Sequence, residues 1–340
     1  MLTRAVMHPL SPLLAVALVA ASPAPAQSAG TDLAHVASFF ATAQVVEGPE
    51  PVECTLSGGT KTTCFSITVS PNPRSYTPGP WCPTSISDGA DAGGVWFLDG
   101  ETVDVDGAFI ANLAKTYGDT GWQLFDPDTG AVRFTGTLEA CEAAARPDVD
   151  PAYRNHCVQC LPEYMPSDAT LTYVIPLKAV PRWWPERTNR RGSGIAANGV
   201  RLDGPAPVDA ILGAYTIAPL DDCGGHVNPH VGYHYHAVMD CLSGEQTTLK
   251  EVARDVVAAH GGQIGIAMDG HAIFAHLLAT GQAPEGLDTC NGHEAESLPY
   301  HYHAGSAGSN QIVGCLAAEA GCVLVEGQAV CDASRPPPRP

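Results

Sequence analysis

The chain has 340 residues, of which only 16% are charged, and acidic residues outnumber basic ones 36 to 17, for a formal net charge of −19. Such a surface repels phosphate backbones, which argues against nucleic acid as a partner, and it attracts metal cations. Thirty-five glycines and 29 prolines predict many turns and irregular connections, while 12 cysteines, an even number, point to disulfides in an oxidising compartment.

The chain opens with Arg4, an apolar run from Leu13 to Ala21, and Ala24-Pro25-Ala26. That is the layout of a secretory signal over residues 1–26, which places the protein outside the cytoplasm, secreted or periplasmic. No later stretch approaches the roughly 20 apolar residues a membrane span requires. Residues 27–169 read as an α+β region with six cysteines of its own. Within it, Asp32 to Ala43 suits an amphipathic helix with Asp32 as N-cap. Val95 to Leu98 reads as a strand ending at the turn Asp99-Gly100, and helical composition marks Ala108 to Tyr117 and Leu138 to Arg146. Asp126-Pro127-Asp128-Thr129-Gly130 has turn chemistry. Cys157-Val158-Gln159-Cys160 lacks a thioredoxin-like context and is read as contributing to structural disulfides. Trp183 to Gly194, with Arg187, Arg190 and Arg191, reads as a linker or exposed loop.

Residues 170–316 contain a tandem duplication. Leu220-Asp221-Asp222-Cys223-Gly224-Gly225-His226 recurs as Leu287-Asp288-Thr289-Cys290-Asn291-Gly292-His293, and Tyr233-His234-Tyr235-His236 recurs as Tyr300-His301-Tyr302-His303, both at an offset of 67. Upstream, Gly199 to Gly204 echoes Gly265 to Gly270 at an offset of 66, which sets Asp203-Gly204 against Asp269-Gly270. Between the copies, Leu249 to His260 suits a helix with Val252, Val256 and Val257 inward. Residues 317–340 hold a Cys322–Cys331 staple and a Pro-rich tail.

On a strand, alternate side chains share a face, so His234 and His236 point one way and Tyr233 and Tyr235 the other; the second copy repeats this. Two imidazoles at i and i+2 plus a loop histidine make a three-histidine metal site, giving the candidate ligands His226, His234, His236, His293, His301 and His303. Neutral imidazoles suit a divalent transition metal, zinc or copper, and three of them leave a position open for water or a small-molecule substrate. Either each copy holds its own metal, or the two face each other across a pseudo-twofold axis and share a two-metal centre. His230, His260, His271 and His276 read as ordinary histidines, with a spare ligand for the first copy as the alternative for His230, four residues before His234. Asp203 and Asp269 read as turn residues or as acids near the metal, candidates for a general base, and Asp221 and Asp288 pose the same choice. The cysteines bracketing each cassette are read as the disulfides Cys223–Cys241 and Cys290–Cys315.

At these residues the chain resembles the YHYH family, found mainly in secreted or periplasmic proteins. The resemblance runs from about Thr170 to Leu316 and includes Asn198-Gly199-Val200, both Cys-x-Gly-His elements, both tetrapeptides, Met268-Asp269-Gly270 and Ile312-Val313-Gly314-Cys315. Where the family usually carries an aromatic-Pro-Ile-Tyr-Gly segment, this chain has His271 to Ala275, a change that either alters a pocket wall or adds a ligand at His271.

The expected fold is mainly β with some α: two pseudo-equivalent, disulfide-stapled β-rich repeats and an N-terminal α+β region. The expected function is exported metal binding, with metal-dependent hydrolysis as the first enzymatic reading. Copper-dependent oxidation and non-catalytic metal delivery or interaction are the alternatives. No residue pattern sets an oligomeric state.

Overall fold

The computed structural model describes residues 33–188, 191–229, 231–242, 254–295, 297–324 and 328–335. The proposed signal, the Asp32 cap, Arg190, His230, the first turn of the helix expected from Leu249, and the end of the tail lie outside them. As expected, the protein is mainly β with few helices.

Helix α1 (Leu33–Phe39) buries Val36 and Phe39 and leads into the antiparallel strands β1 (Val45–Thr55) and β2 (Lys61–Val69), stapled by Cys54–Cys64. The turn Asp99-Gly100 joins β3 (Val95–Leu98) to β4 (Glu101–Asp104). Helix α2 (Gly107–Thr116) is capped by the Asp106 carboxylate, which accepts the Phe109 N–H at 2.6 Å, and Thr137 caps α3 (Leu138–Ala144) in the same way. Cys157 and Cys160 pair with Cys82 and Cys141, not with each other, and so are structural.

Strand β5 (Leu171–Pro176) pairs with β2, so the first sheet reaches across residue 170. Next comes β6 (Pro181–Glu186), which corrects the linker reading: it pairs with β15 (Leu316–Ala318) in a two-stranded sheet, and its Glu186 carboxylate binds Arg182 at 3.1 Å and Arg191 at 2.8 Å. Two prolines and exposed Trp183 and Trp184 suit an edge strand, where a missing N–H costs no ladder bond. Strand β16 (Cys322–Leu324), held by Cys322–Cys331, completes the first sheet in the order β1-β2-β5-β16.

The duplicated region forms one eight-stranded sheet. Its strands are β7 (Gly194–Ala196), β8 (Arg201–Leu202), β9 (Gly225–Asn228), β10 (Gly232–Tyr235), β11 (Gln263–Ala267), β12 (Ala272–Phe274), β13 (Gly292–Ala295) and β14 (Leu298–His303). Helix α4 (Val208–Gly213) lies between β8 and β9, and α5 (Arg254–Ala259) precedes β11 and buries Val257.

The sheet order, β13-β14-β12-β11-β7-β8-β10-β9, reads the same from either end once each strand is replaced by its counterpart. At the centre, β7 and β11 run antiparallel with Ile195 opposite Ile266. Residues directly opposite one another in an antiparallel pair share a face. A pseudo-twofold axis normal to the sheet therefore passes between these two isoleucines.

The register also corrects the equivalence of the two Asp-Gly pairs. Leu202 pairs with Tyr235 as Ile273 pairs with Tyr302, an offset of 71 in the hairpins against 67 in the cassettes. On that offset Asp269-Gly270 is the counterpart of Asn198-Gly199, and Asp203 is the counterpart of Phe274. The hairpin turns agree: Gly199 N–H donates to the Ala196 carbonyl as Gly270 N–H does to that of Ala267, each at 2.9 Å. Both glycines lie in the left-handed region, φ 86° and 88°, which is where this turn needs glycine.

Candidate metal centres

The cassette's shape follows from its small residues and its acid. Asp221 Oδ1 accepts the N–H groups of Cys223 and Gly225 at 3.0 and 3.1 Å, and Asp288 Oδ1 those of Cys290 and Gly292 at 2.8 and 3.0 Å. A side chain on Gly225 would collide with the Tyr233 ring, and one on Gly292 with Tyr300. The glycine thus lets the chain turn tightly against the tyrosine and deliver the following histidine to the sheet. Cys223–Cys241 and Cys290–Cys315 tie the cassettes down, as expected.

The alternation holds: His234 and His236 share one face, and Tyr233 and Tyr235 the other. The tyrosine hydroxyls are structural. Tyr233 donates to Asp221 at 2.9 Å, Tyr300 to Asp288 at 2.8 Å, and Tyr302 to Asp269 at 2.6 Å, while Tyr76 bonds both Tyr233 and Tyr235. Asn198 Nδ2 donates to the Tyr235 hydroxyl at 2.8 Å, the counterpart of the Asp269–Tyr302 contact. Asp221, Asp288 and Asp269 therefore serve the tyrosine layer. Burial, the largest influence, would raise the Asp269 carboxyl, but His271 beside it, the Tyr302 hydroxyl and the Ala318 N–H together hold it below its ordinary value. His271 stands on this side too, its Nδ1 3.2 Å from Asp269 Oδ2, and it is no part of either histidine group.

On the other face, His226, His234 and His236 form one group able to hold a metal ion, their ligand atoms all within 4.8 Å of one another. His234 Nδ1–H donates to the Gly232 carbonyl at 3.0 Å and His236 Nδ1–H to that of Gly204 at 2.7 Å, and the Ala218 and Pro219 carbonyls bond His226. A carbonyl only accepts, so in His234 and His236 Nδ1 carries the proton and Nε2 keeps a bare lone pair. The Nε2 atoms of His234 and His236 face each other at 3.1 Å. Burial, then the neighbouring imidazoles, push His226 well below its ordinary value and His234 down to about 4, while burial lowers His236. At neutral pH no proton bridges the pair.

The second group is His260, His293 and His301, again with ligand atoms mutually within 4.8 Å. His260 corrects the expectation of an ordinary histidine: it arrives from the end of α5, and no histidine spacing in the cassette announces it. Its Nδ1–H donates to Val256 at 3.1 Å, that of His293 to Glu285 at 3.0 Å, and that of His301 to Pro299 at 2.9 Å. The Nε2 atoms of His293 and His301 are 3.1 Å apart, as in the first group. His303 is outside the set whose ligand atoms all lie within 4.8 Å of one another, but it is fully buried beside it: its Nδ1–H donates to Ala275 at 2.8 Å, its Nε2 has no partner, and its ring centre is 5.2 Å from those of His293 and His301. Burial takes His301 down to about 3 and His303 to about 4, and the other imidazoles push the same way. His276 bonds the Ala304 carbonyl and stands outside the group.

Of the two acids considered as bases, only Asp203 is on the histidine face. Its backbone N–H bonds Tyr235, and its Oδ1 pairs with Arg201 at 3.0 Å and accepts the Gly204 N–H at 2.8 Å. Burial alone would raise its carboxyl; Arg201, with His234 and His236, outweighs that and holds it well below the carboxylate range. Gly204 in turn holds His236, so Asp203 orients a histidine and supplies negative charge, and it is a poor proton acceptor.

The paired residues from β10 to β14 lie on one face, so both groups open to the same side of the sheet. Five strand spacings separate β10 from β14. At about 4.8 Å each this is roughly 24 Å, whereas metals sharing a bridged centre lie about 3.5–4 Å apart. Of the two arrangements considered, the shared centre is excluded.

Compared with known proteins, residues 172–283 match the family model described as YHYH protein, a stretch that takes in the first cassette and the second hairpin and ends before Cys290. No curated protein and no solved structure matches the chain. The match spans about a third of the chain and supports a YHYH-family segment at residues 172–283.

Proposed function

We propose that this is an exported metal-binding protein with two separate mononuclear centres, one at His226, His234 and His236 and the other built on His260, His293 and His301. The observation that carries the reading is the pair of Nε2···Nε2 approaches at 3.1 Å. Two bare lone pairs repel at that distance unless a cation lies between them. Nitrogens bound to zinc at about 2.0–2.1 Å in tetrahedral geometry stand roughly 3.3 Å apart, close to what the two pairs show. Twelve cysteines paired as six disulfides, with none free, fit an oxidising compartment. None of the described helices is long and apolar enough to cross a membrane.

Zinc fits best, because an all-imidazole set in prearranged positions needs no redox change and suits tetrahedral geometry. Three imidazoles leave one position for water, and a metal there supplies a Lewis acid and a hydroxide at neutral pH. Hydrolysis of an ester, phosphoester or amide is therefore the chemistry for which the first centre is equipped. The chain's own residues fix the imidazoles through backbone carbonyls and place the Asp203 carboxylate behind them.

Cobalt(II) substitution tests the reading. Metal-stripped protein loaded with cobalt and passed through gel filtration is expected to show the intense visible bands of low-coordinate cobalt. They should weaken in His234→Ala and in His301→Ala. A spectrum like that of aqueous cobalt, or cobalt lost on the column, contradicts the proposal.

A further inference from the structure

Although the backbone is duplicated, the side chains around the two histidine groups are not. At the position where the first group has Asp203, paired with Arg201, the second has Phe274, whose ring centre is 4.8 Å from that of His301 and 5.9 Å from that of His303. The counterpart of Arg201 is Ala272. The charged pair behind the first group is thus replaced by an apolar wall. The second group also gains an imidazole. The ring centre of His260 lies 5.4 Å from that of His301, 6.3 Å from His293 and 6.0 Å from His303. Each of these four rings has its Nδ1–H bound to a backbone carbonyl and its Nε2 left as a lone pair. His303 has the buried Nε2 without a partner noted above, a lone pair that a bound metal would satisfy. Among the described residues, the rings around His226 are those of His234 and His236 alone.

Four imidazoles fill a tetrahedral metal and leave no position for water, whereas three leave one. We propose that the centres have diverged in role. The first is open and reactive, backed by Asp203; the second is closed, held by His260, His293, His301 and His303, and fastens α5 to the outer strands of the sheet. This rests on the metal-binding reading above. His260 is placed for the purpose: it ends α5, and Gly261 and Gly262, both at positive φ (82° and 87°), turn the chain at once into β11. A metal bound there cross-links the helix end to β13 and β14, much as a disulfide would.

Single-centre proteins separate the possibilities. His234→Ala/His236→Ala leaves the second centre, and His293→Ala/His301→Ala leaves the first. Each is loaded with cobalt, its cobalt content is measured, and it is then titrated with azide, an anion that enters only an open position. The first-centre protein is expected to change its visible spectrum with azide and the second-centre protein to stay unchanged. Adding His260→Ala to the second-centre protein should make it azide-responsive while it retains cobalt, and His303→Ala is an independent way to open it should His260→Ala fold poorly. A second centre that answers azide as the first does, or that stays silent when opened by either substitution, overturns the division of roles. Loss of cobalt from both single-centre proteins before azide is added overturns the metal-binding reading itself.

Discussion

Asp269→Ala is expected to destabilise the protein by about 3–5 kcal/mol, the cost typical of removing one partner from a buried charged network. Asp269 is fully buried and serves the Tyr302 hydroxyl, the Ala318 N–H at 3.1 Å and His271. Alanine leaves the Tyr302 hydroxyl without its acceptor, the Ala318 N–H without a partner and the His271 ring without its counter-charge, although Tyr302 still accepts the Ala317 N–H. Asp269→Asn should cost only about 1–2 kcal/mol, because its amide oxygen can still accept from the Tyr302 hydroxyl and the Ala318 N–H, while the charge and the contacts to His271 are lost. The first repeat already uses Asn198 there. The pair has a pH signature as well. The lowered Asp269 carboxyl contributes stability that is present above its unfolded value and lost as pH falls through its folded one. His271, which burial would lower but Asp269 raises, contributes below its unfolded value and ceases to as pH rises through its folded one. The pair therefore counts most between about pH 4 and 6.5. Urea unfolding at several pH values, with metal content measured alongside, checks all of this. Equal losses for the alanine and asparagine variants, or metal lost from folded Asp269→Asn, would place this acid on the wrong side of the sheet.

Chelation should lower stability without unfolding the protein. A ligand bound only by the folded state stabilises by about 4 kcal/mol when its free concentration is a thousand times its dissociation constant. For a chain of this size that is roughly 10 °C in melting temperature. The six disulfides and the core formed by Phe65, Tyr173, Ile195 and Ile266 do not depend on metal, so the stripped protein keeps its fold and recovers its melting point when zinc is restored. Differential scanning calorimetry with and without a chelator reads this directly. An unchanged melting point would mean that no metal is bound, and complete unfolding would mean that the metal is the core.

The cassette was legible in the sequence because its chemistry is local. A period of two sets the histidine and tyrosine faces, a glycine precedes the loop histidine, and cysteines bracket each copy. Three features were not. His260 comes from a helix outside the repeat, and its approach to His293 depends on how the helix end packs against the sheet edge. The Asp203–Asp269 match failed because Asn-Gly and Asp-Gly serve the same turn. The link from hairpin to cassette is four residues shorter in the second copy, so a chance Asp-Gly match at an offset of 66 hid the hairpin offset of 71. Strand β6 was concealed by its prolines and arginines, which suit an edge strand and a loop alike.

Metal stoichiometry is the most direct test of two independent centres. Protein purified from its native compartment is expected to contain two zinc ions per chain by elemental analysis. His234→Ala/His236→Ala and His293→Ala/His301→Ala should each contain one, and the combined variant none. Metal absent from the unsubstituted protein, or a content that the paired substitutions leave unchanged, would contradict the account.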